Sequence, residues 1–105
     1  MIKKLKFIAW DSKNRILKRL GKVEFIKGEL TLKDHVILQF TGQRDKLGKE
    51  IYDGDVLLSK GEQKSKVIWC DEANAWKLEE DGKTKFFDVE FIATTTRLYN
   101  SHEKS

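Results

Sequence analysis

Apolar residues in this chain recur at every second position in short runs, and charged or glycine-containing clusters interrupt them. Residues 2–10 set the pattern, with Leu5, Phe7 and Ala9 on one side and Lys4, Lys6, Ile8 and Trp10 on the other, the two-residue period of a strand. Asp11-Ser12-Lys13-Asn14 has the content of a turn. In residues 22–26, Val23 and Phe25 oppose Glu24 and Ile26. Lys27-Gly28 then leads to Glu29-Leu30-Thr31-Leu32, the layout of a hairpin. Lys33-Asp34-His35 reads as the next turn, and residues 36–40 are so apolar that they predict a central strand. Further on, Ser65, Val67 and Trp69 oppose Lys64, Lys66 and Ile68; residues 75–79 predict another strand, and the Asp81-Gly82 pair after it is the strongest short-range hairpin signal in the chain. Residues 85–92 and 94–99 finish the apolar pattern. Residues 15–20 stay open, since Ile16, Leu17 and Leu20 fit one helical face while the segment is short enough for a strand.

Short strands at regular spacing, joined by Gly and Asp turns, predict an all-β domain. The expected architecture is a small SH3-like or pseudo-barrel of antiparallel strands over residues 1–99, with room for short helical turns and with residues 100–105 as a polar tail that frays. Residues 40–58 form the corner of this plan. Gly42, Gly48 and Gly54 suit positive backbone φ, and Asp45, Asp53 and Asp55 suit hydrogen bonds to nearby amides. Leu47, Ile51 and Tyr52 are the expected pins to the core, while Gln43, Arg44, Lys46, Lys49 and Glu50 face water.

With 105 residues the chain suffices for one compact core and no second. A hydrophobic fraction of 39% argues against disorder over the whole length, and no apolar run reaches membrane-helix length. Cys70, the single cysteine, forms no intramolecular disulfide; it reads as a small buried residue in Val67-Ile68-Trp69-Cys70 and agrees with a reducing, cytoplasmic setting. The net charge of +4 is uneven: residues 1–50 carry 13 Lys/Arg against 6 Asp/Glu, and residues 51–105 carry 8 against 11.

Catalytic chemistry finds little support. Nucleophilic catalysis needs a Ser or Cys beside a base, and His35 and His102 both fall in surface segments away from Cys70. Asp45, Glu50, Asp53 and Asp55 lack the spacing of a calcium loop and read as turn-formers, so neither metal nor cofactor is expected. No phosphate-binding glycine motif is present. Binding is the better-supported class. Small barrels offer a sheet edge or an aromatic groove, and the candidate contacts are Arg44, Lys46 and Lys49 on the corner with Trp10, Trp69 and Trp76. A protein partner or a second copy of the chain is the first expectation. The alternative is nucleic acid, drawn to Lys3, Lys4, Lys6, Lys13, Arg15, Lys18, Arg19 and Lys22 in the first quarter.

One long stretch carries a family resemblance. Thr41, Gly42, Asp45, Lys46, Gly48, Lys49, Glu50, Ile51, Tyr52, Gly54 and Asp55 match the signature of the YopX family of small phage and prophage proteins of Gram-positive bacteria. Lys6-Phe7-Ile8-Ala9-Trp10-Asp11 resembles that family's Lys-Phe-Arg-Ala-Trp-Asp opening, with Ile8 in place of Arg, which makes both faces of the first strand apolar. The resemblance implies a phage-borne, β-rich accessory protein and brings no established activity with it.

Overall fold

Alternating runs become strands wherever a turn residue lets the chain reverse. The computed structural model describes residues 6–19 and 35–104; the hairpin expected over residues 22–32 lies outside them. The first sheet contains β1 (Phe7–Asp11), β2 (Ile16–Arg19), β3 (His35–Arg44) and β4 (Glu50–Tyr52), in the order β2-β1-β3-β4. The second contains β5 (Asp55–Leu58), β6 (Lys64–Cys70), β7 (Ala75–Glu80), β8 (Lys83–Phe86) and β9 (Thr96–Asn100), in the order β8-β7-β6-β5-β9. Every pairing is antiparallel, and the two curled sheets form a half-barrel.

The segment left open between helix and strand is β2. Asp11 decides the matter, because its Oδ1 accepts the amides of Lys13 and Asn14 at 3.1 Å and its carbonyl accepts the amide of Arg15 at 2.7 Å. With Arg15 at φ 56°, the chain turns back on β1 and pairs Asp11 with Ile16. Asp81 and Gly82 stand at φ 52° and 77°, the two positive values of a tight hairpin turn, and they set Glu80 opposite Lys83. His35 is the first residue of β3 and pairs with Asp11, so the turn expected there does not extend to it.

β4 divides the interior. Its consecutive residues point to opposite faces, so in place of the single core expected from the length there are two clusters: Ile51 joins Leu57, Val67, Leu78 and Ile92 in one core, while Tyr52 joins Trp10 and Leu38 in the other. Each large aliphatic side chain buried this fully stabilises the fold by about 1.5–3 kcal/mol. The first core is closed by α1 (Val89–Ile92), a single turn capped by Asp88, whose side chain accepts the Glu90 amide at 3.0 Å. The apolar run over residues 85–92 is thus part strand and part helical turn.

Two expectations are corrected. Cys70 is half-buried at the end of β6 rather than buried. The tail is built into the fold rather than frayed: Asn100 is fully buried, and Ser101–Lys104 forms a 3-10 helix. The reason is a hydrogen-bonded return to the corner, in which the Ser101 amide donates to the Gly54 carbonyl at 2.8 Å and Asn100 Nδ2 to the Asp53 carbonyl at 3.0 Å.

Candidate functional site

The corner is the hairpin between β3 and β4, and its tip is organised by one carboxylate. Asp45 Oδ1 accepts the amides of Leu47 at 2.9 Å and Lys49 at 2.8 Å, which closes the five-residue turn. Its Oδ2 accepts the amide of Arg97, 52 residues away, at 2.7 Å. The Lys46 amide donates to the Thr95 carbonyl at 2.8 Å. The tip of the first sheet is therefore tied to β9, at the edge of the second. Asp45 was expected to shape a turn; that it also joins the sheets carries no local sequence signal. Burial by itself raises the Asp45 carboxyl, but the amides of Arg97, Lys49 and Leu47 outweigh it and hold the group below its ordinary range.

Leu47 departs from its expected role. At 64% exposed it pins nothing, and the pin is Asp45 at 5%. Asp45 draws the backbone inward on both sides, which leaves the Leu47 side chain pointing away from the fold. Arg44, Lys46 and Lys49 are exposed around the same tip, as expected for water-facing residues. Gly42 and Gly48 hold φ 91° and 82°, and three β3 residues, 41–43, pass opposite Ile51 alone, so the hairpin bends as it leaves the sheet.

Behind the tip lies a groove of about 460 Å³ between the sheets. Ile8, Leu17 and Tyr52 give it an apolar floor, and Lys18, Arg44, Lys49 and Arg97 line it with a single acid, Glu50. Two of these cations already have buried acids: Lys18 pairs with Asp11 at 2.8 Å, and Arg97 Nε with Asp55 at 3.2 Å. Glu50 is shared by Lys6 and by Arg44 at 3.7 Å; the Lys6 hydrogen bond is the larger cause that holds its carboxyl low. The cationic character that remains sits at the mouth, on Lys49 and on the exposed Arg44, which shares Glu50 with Lys6. Arg97 was not singled out from the sequence, and nothing local grouped it with Ile8, Leu17 and Lys18, since the four come from three strands, β1, β2 and β9, and share no motif.

Asp55 anchors the base of the corner. Fully buried, it accepts the Tyr52 amide at 2.8 Å and Asn100 Nδ2 at 2.9 Å besides pairing with Arg97. Burial nonetheless pushes its carboxyl above the ordinary value, and burial does the same for the neighbouring Asp53. Of the corner carboxylates, Asp45 and Asp55 are bridged by Arg97, through its amide and its guanidinium, and Glu50 pairs with Lys6 and Arg44. Among the described residues no group of three or more His, Cys, Asp or Glu side chains is placed to hold a metal ion.

The three tryptophans part company. Trp10 is 4% exposed, packed with Leu38 and Tyr52, and offers no open face; its place as a candidate contact is corrected to core. Trp69 and Trp76 are cross-strand partners on β6 and β7, stacked edge to face at 5.1 Å. Trp76 packs on the first core, while Trp69 remains 42% exposed and lines a depression with Lys66, Asp53 and His102.

The chain is similar in fold to protein EF1440 from Enterococcus faecalis, whose crystal structure superposes with a TM-score of 0.72 at 18% identity, covering 96% of this chain and 95% of that one. No curated protein matches the sequence. The family model described as YopX protein matches residues 2–103, which takes in the corner, both sheets and the docked tail, and on that match the chain belongs to the YopX family.

Proposed function

We propose that the protein is a non-enzymatic binding module, a phage or prophage accessory protein of the bacterial cytoplasm, whose partner is a protein presenting an acidic segment to the β3–β4 tip. The observation that carries this reading is a 64% exposed Leu47 on a tip fixed by three hydrogen bonds to Asp45 and ringed by exposed Arg44, Lys46 and Lys49. A rigid loop loses little conformational entropy on binding, so an apolar knob held this way is preorganised for a partner pocket. The surrounding cations then select acidic neighbours and speed encounter. A second copy of the chain is a poor occupant, because two such tips repel each other. The nucleic-acid alternative built on the first quarter has less support, since Lys6 and Lys18 are paired with Glu50 and Asp11.

The test is capture of protein from bacterial lysate with the tagged chain, nuclease-treated, against two variants. Arg44→Glu/Lys46→Glu/Lys49→Glu and, separately, Leu47→Ser are expected to keep the parental melting curve and to lose the captured protein. Undiminished capture by both folded variants overturns the reading.

A further inference from the structure

The strand register sorts the second sheet into two faces. Leu57, Val67 and Leu78 are fully buried on the inner one, so their neighbours along each strand lie on the outer one. Cross-strand pairing then builds rows on that outer face: Ile68, Lys77 and Phe86 in one, and Glu79, Lys66, Val56 and Tyr99 in the next. Lys64 follows beside Leu58.

Phe86 is 74% exposed on edge strand β8, so it adds almost nothing to a core. An unprotected aromatic on a sheet edge is a hazard that folded proteins usually remove. The rings on this face also have cations beside them. Lys77 Nζ lies 6.0 Å from the Phe86 centroid, and Lys64 and Lys104 lie 5.8 and 5.2 Å from that of Tyr99. Against these lysines and Lys66 the rows contain one acid, Glu79; Asp53 and Asp71 share the depression beside Trp69 with Lys66 and Ile68, at one end of the face.

We propose that this outer face binds single-stranded nucleic acid, with Phe86 and Tyr99 as stacking surfaces and Lys64, Lys66, Lys77 and Lys104 as phosphate contacts. Strands neighbour each other at about 4.8 Å, so Phe86 on β8 and Tyr99 on β9, four steps apart, stand roughly 19 Å apart across the sheet. That is enough for a strand to cross with a base on each ring and its backbone over the lysines. An acidic peptide would use the lysines but has no need of the rings; every base has a π-face that stacks on an aromatic. The basic first quarter suggested nucleic acid from sequence, yet the more suitable surface belongs to the half with a net acidic count, because antiparallel register puts Lys64, Lys66 and Lys77 on one side and the 3-10 helix after β9 brings Lys104 to the Tyr99 ring.

The proposal is independent of the hairpin tip and is tested by fluorescence anisotropy with labelled dT12 and a labelled 12-residue oligoglutamate over a salt series. Four phosphate contacts at about 0.7 each predict a log–log salt slope of roughly −2.8 for dT12, a loss of about 50-fold between 50 and 200 mM salt. Phe86→Ala is expected to weaken dT12 binding about fivefold or more, and Lys66→Ala/Lys77→Ala to halve the slope, each with an unchanged circular dichroism spectrum. Leu47→Ser should leave dT12 affinity as it is. Absence of dT12 binding at 50 mM salt overturns the proposal. So does oligoglutamate binding that matches dT12 and ignores Phe86→Ala, which would identify an acidic protein partner instead.

Discussion

Removing the Asp45 carboxylate tests whether one side chain joins the two sheets. In Asp45→Ala the amides of Leu47, Lys49 and Arg97 lose their acceptor together. Hydrogen bonds to a charged group contribute about 1.5–3 kcal/mol each, but they are not additive, because the tip amides regain water once the turn loosens while the Arg97 amide lies behind the tip. We expect a loss of about 3 kcal/mol, a large part of the 5–15 kcal/mol typical of a domain, and a melting temperature roughly 12–20 °C lower. Asp45→Asn separates the two duties. Its remaining carbonyl oxygen can still serve Leu47 and Lys49, but an NH2 group then faces the Arg97 amide, donor against donor. The Asn variant should therefore lose about half as much, keep the tip and weaken the tie to β9. Urea unfolding followed by tryptophan fluorescence and thermal melts by circular dichroism read both. A loss below about 1 kcal/mol for Asp45→Ala, or equal losses for the two variants, refutes the reasoning. The pH dependence carries a sign as well. The folded-state carboxyl is held below its ordinary 3.8, so its contribution is complete above that value and disappears as pH falls through the folded one; the Asn variant lacks that part of the acid transition.

Two further predictions concern the base of the corner and the back hairpin. A Cβ at Gly54, where φ is 85°, would meet Ser101 Oγ at 3.1 Å and Asn100 at 3.4 Å, whereas one at Gly82, where φ is 77°, meets nothing within 4 Å. Gly82→Ala should cost only the left-handed backbone term of about 1–2 kcal/mol and Gly54→Ala clearly more, read from paired thermal melts; equal losses would show that the docked tail yields freely. Burial raises the Asp53 carboxyl, so its charged form costs stability at neutral pH; that cost shrinks as pH falls through the raised value and is gone only below the ordinary 3.8. Asp53→Asn should stabilise the protein at pH 7 and leave it unchanged at about pH 3, where both states are protonated, and destabilisation at pH 7 would reverse the assigned sign.

Local chemistry made much of this fold legible in advance. The Asp81-Gly82 hairpin, the positive φ of Gly42, Gly48 and Gly54, and the Val67 and Leu78 alternation all depend on residues within a few positions of one another. What stayed hidden depends on distance along the chain. Leu47 was expected inside because it is the apolar residue of a polar loop; it is outside because Asp45 satisfies the tip with hydrogen bonds, one of them from Arg97. The tail looked disposable because it is polar, but Asn100 and Glu103 are polar in order to bond: Glu103 Oε1 accepts the Asn100 amide at 2.9 Å and the Arg97 guanidinium at 3.4 Å. The three candidate cations of the corner were legible because they sit within six residues, whereas Lys18 and Arg97 join their groove only through sheet curvature.

The tie between the tip and β9 also sets a timetable for synthesis. β1 to β4 precede Arg97 in the chain, and the Asp45 bond to the Arg97 amide spans 52 residues. At roughly 5–20 residues per second of translation, the hairpin waits about 3–10 s for the strand that completes it. Throughout that interval β5 lacks β9, one of its two neighbours, and a nascent chain holding a half-made sheet is open to capture by other chains. Slowing the ribosome between residues 58 and 96 should lengthen that window and lower the soluble yield, while slowing it before residue 45 should not.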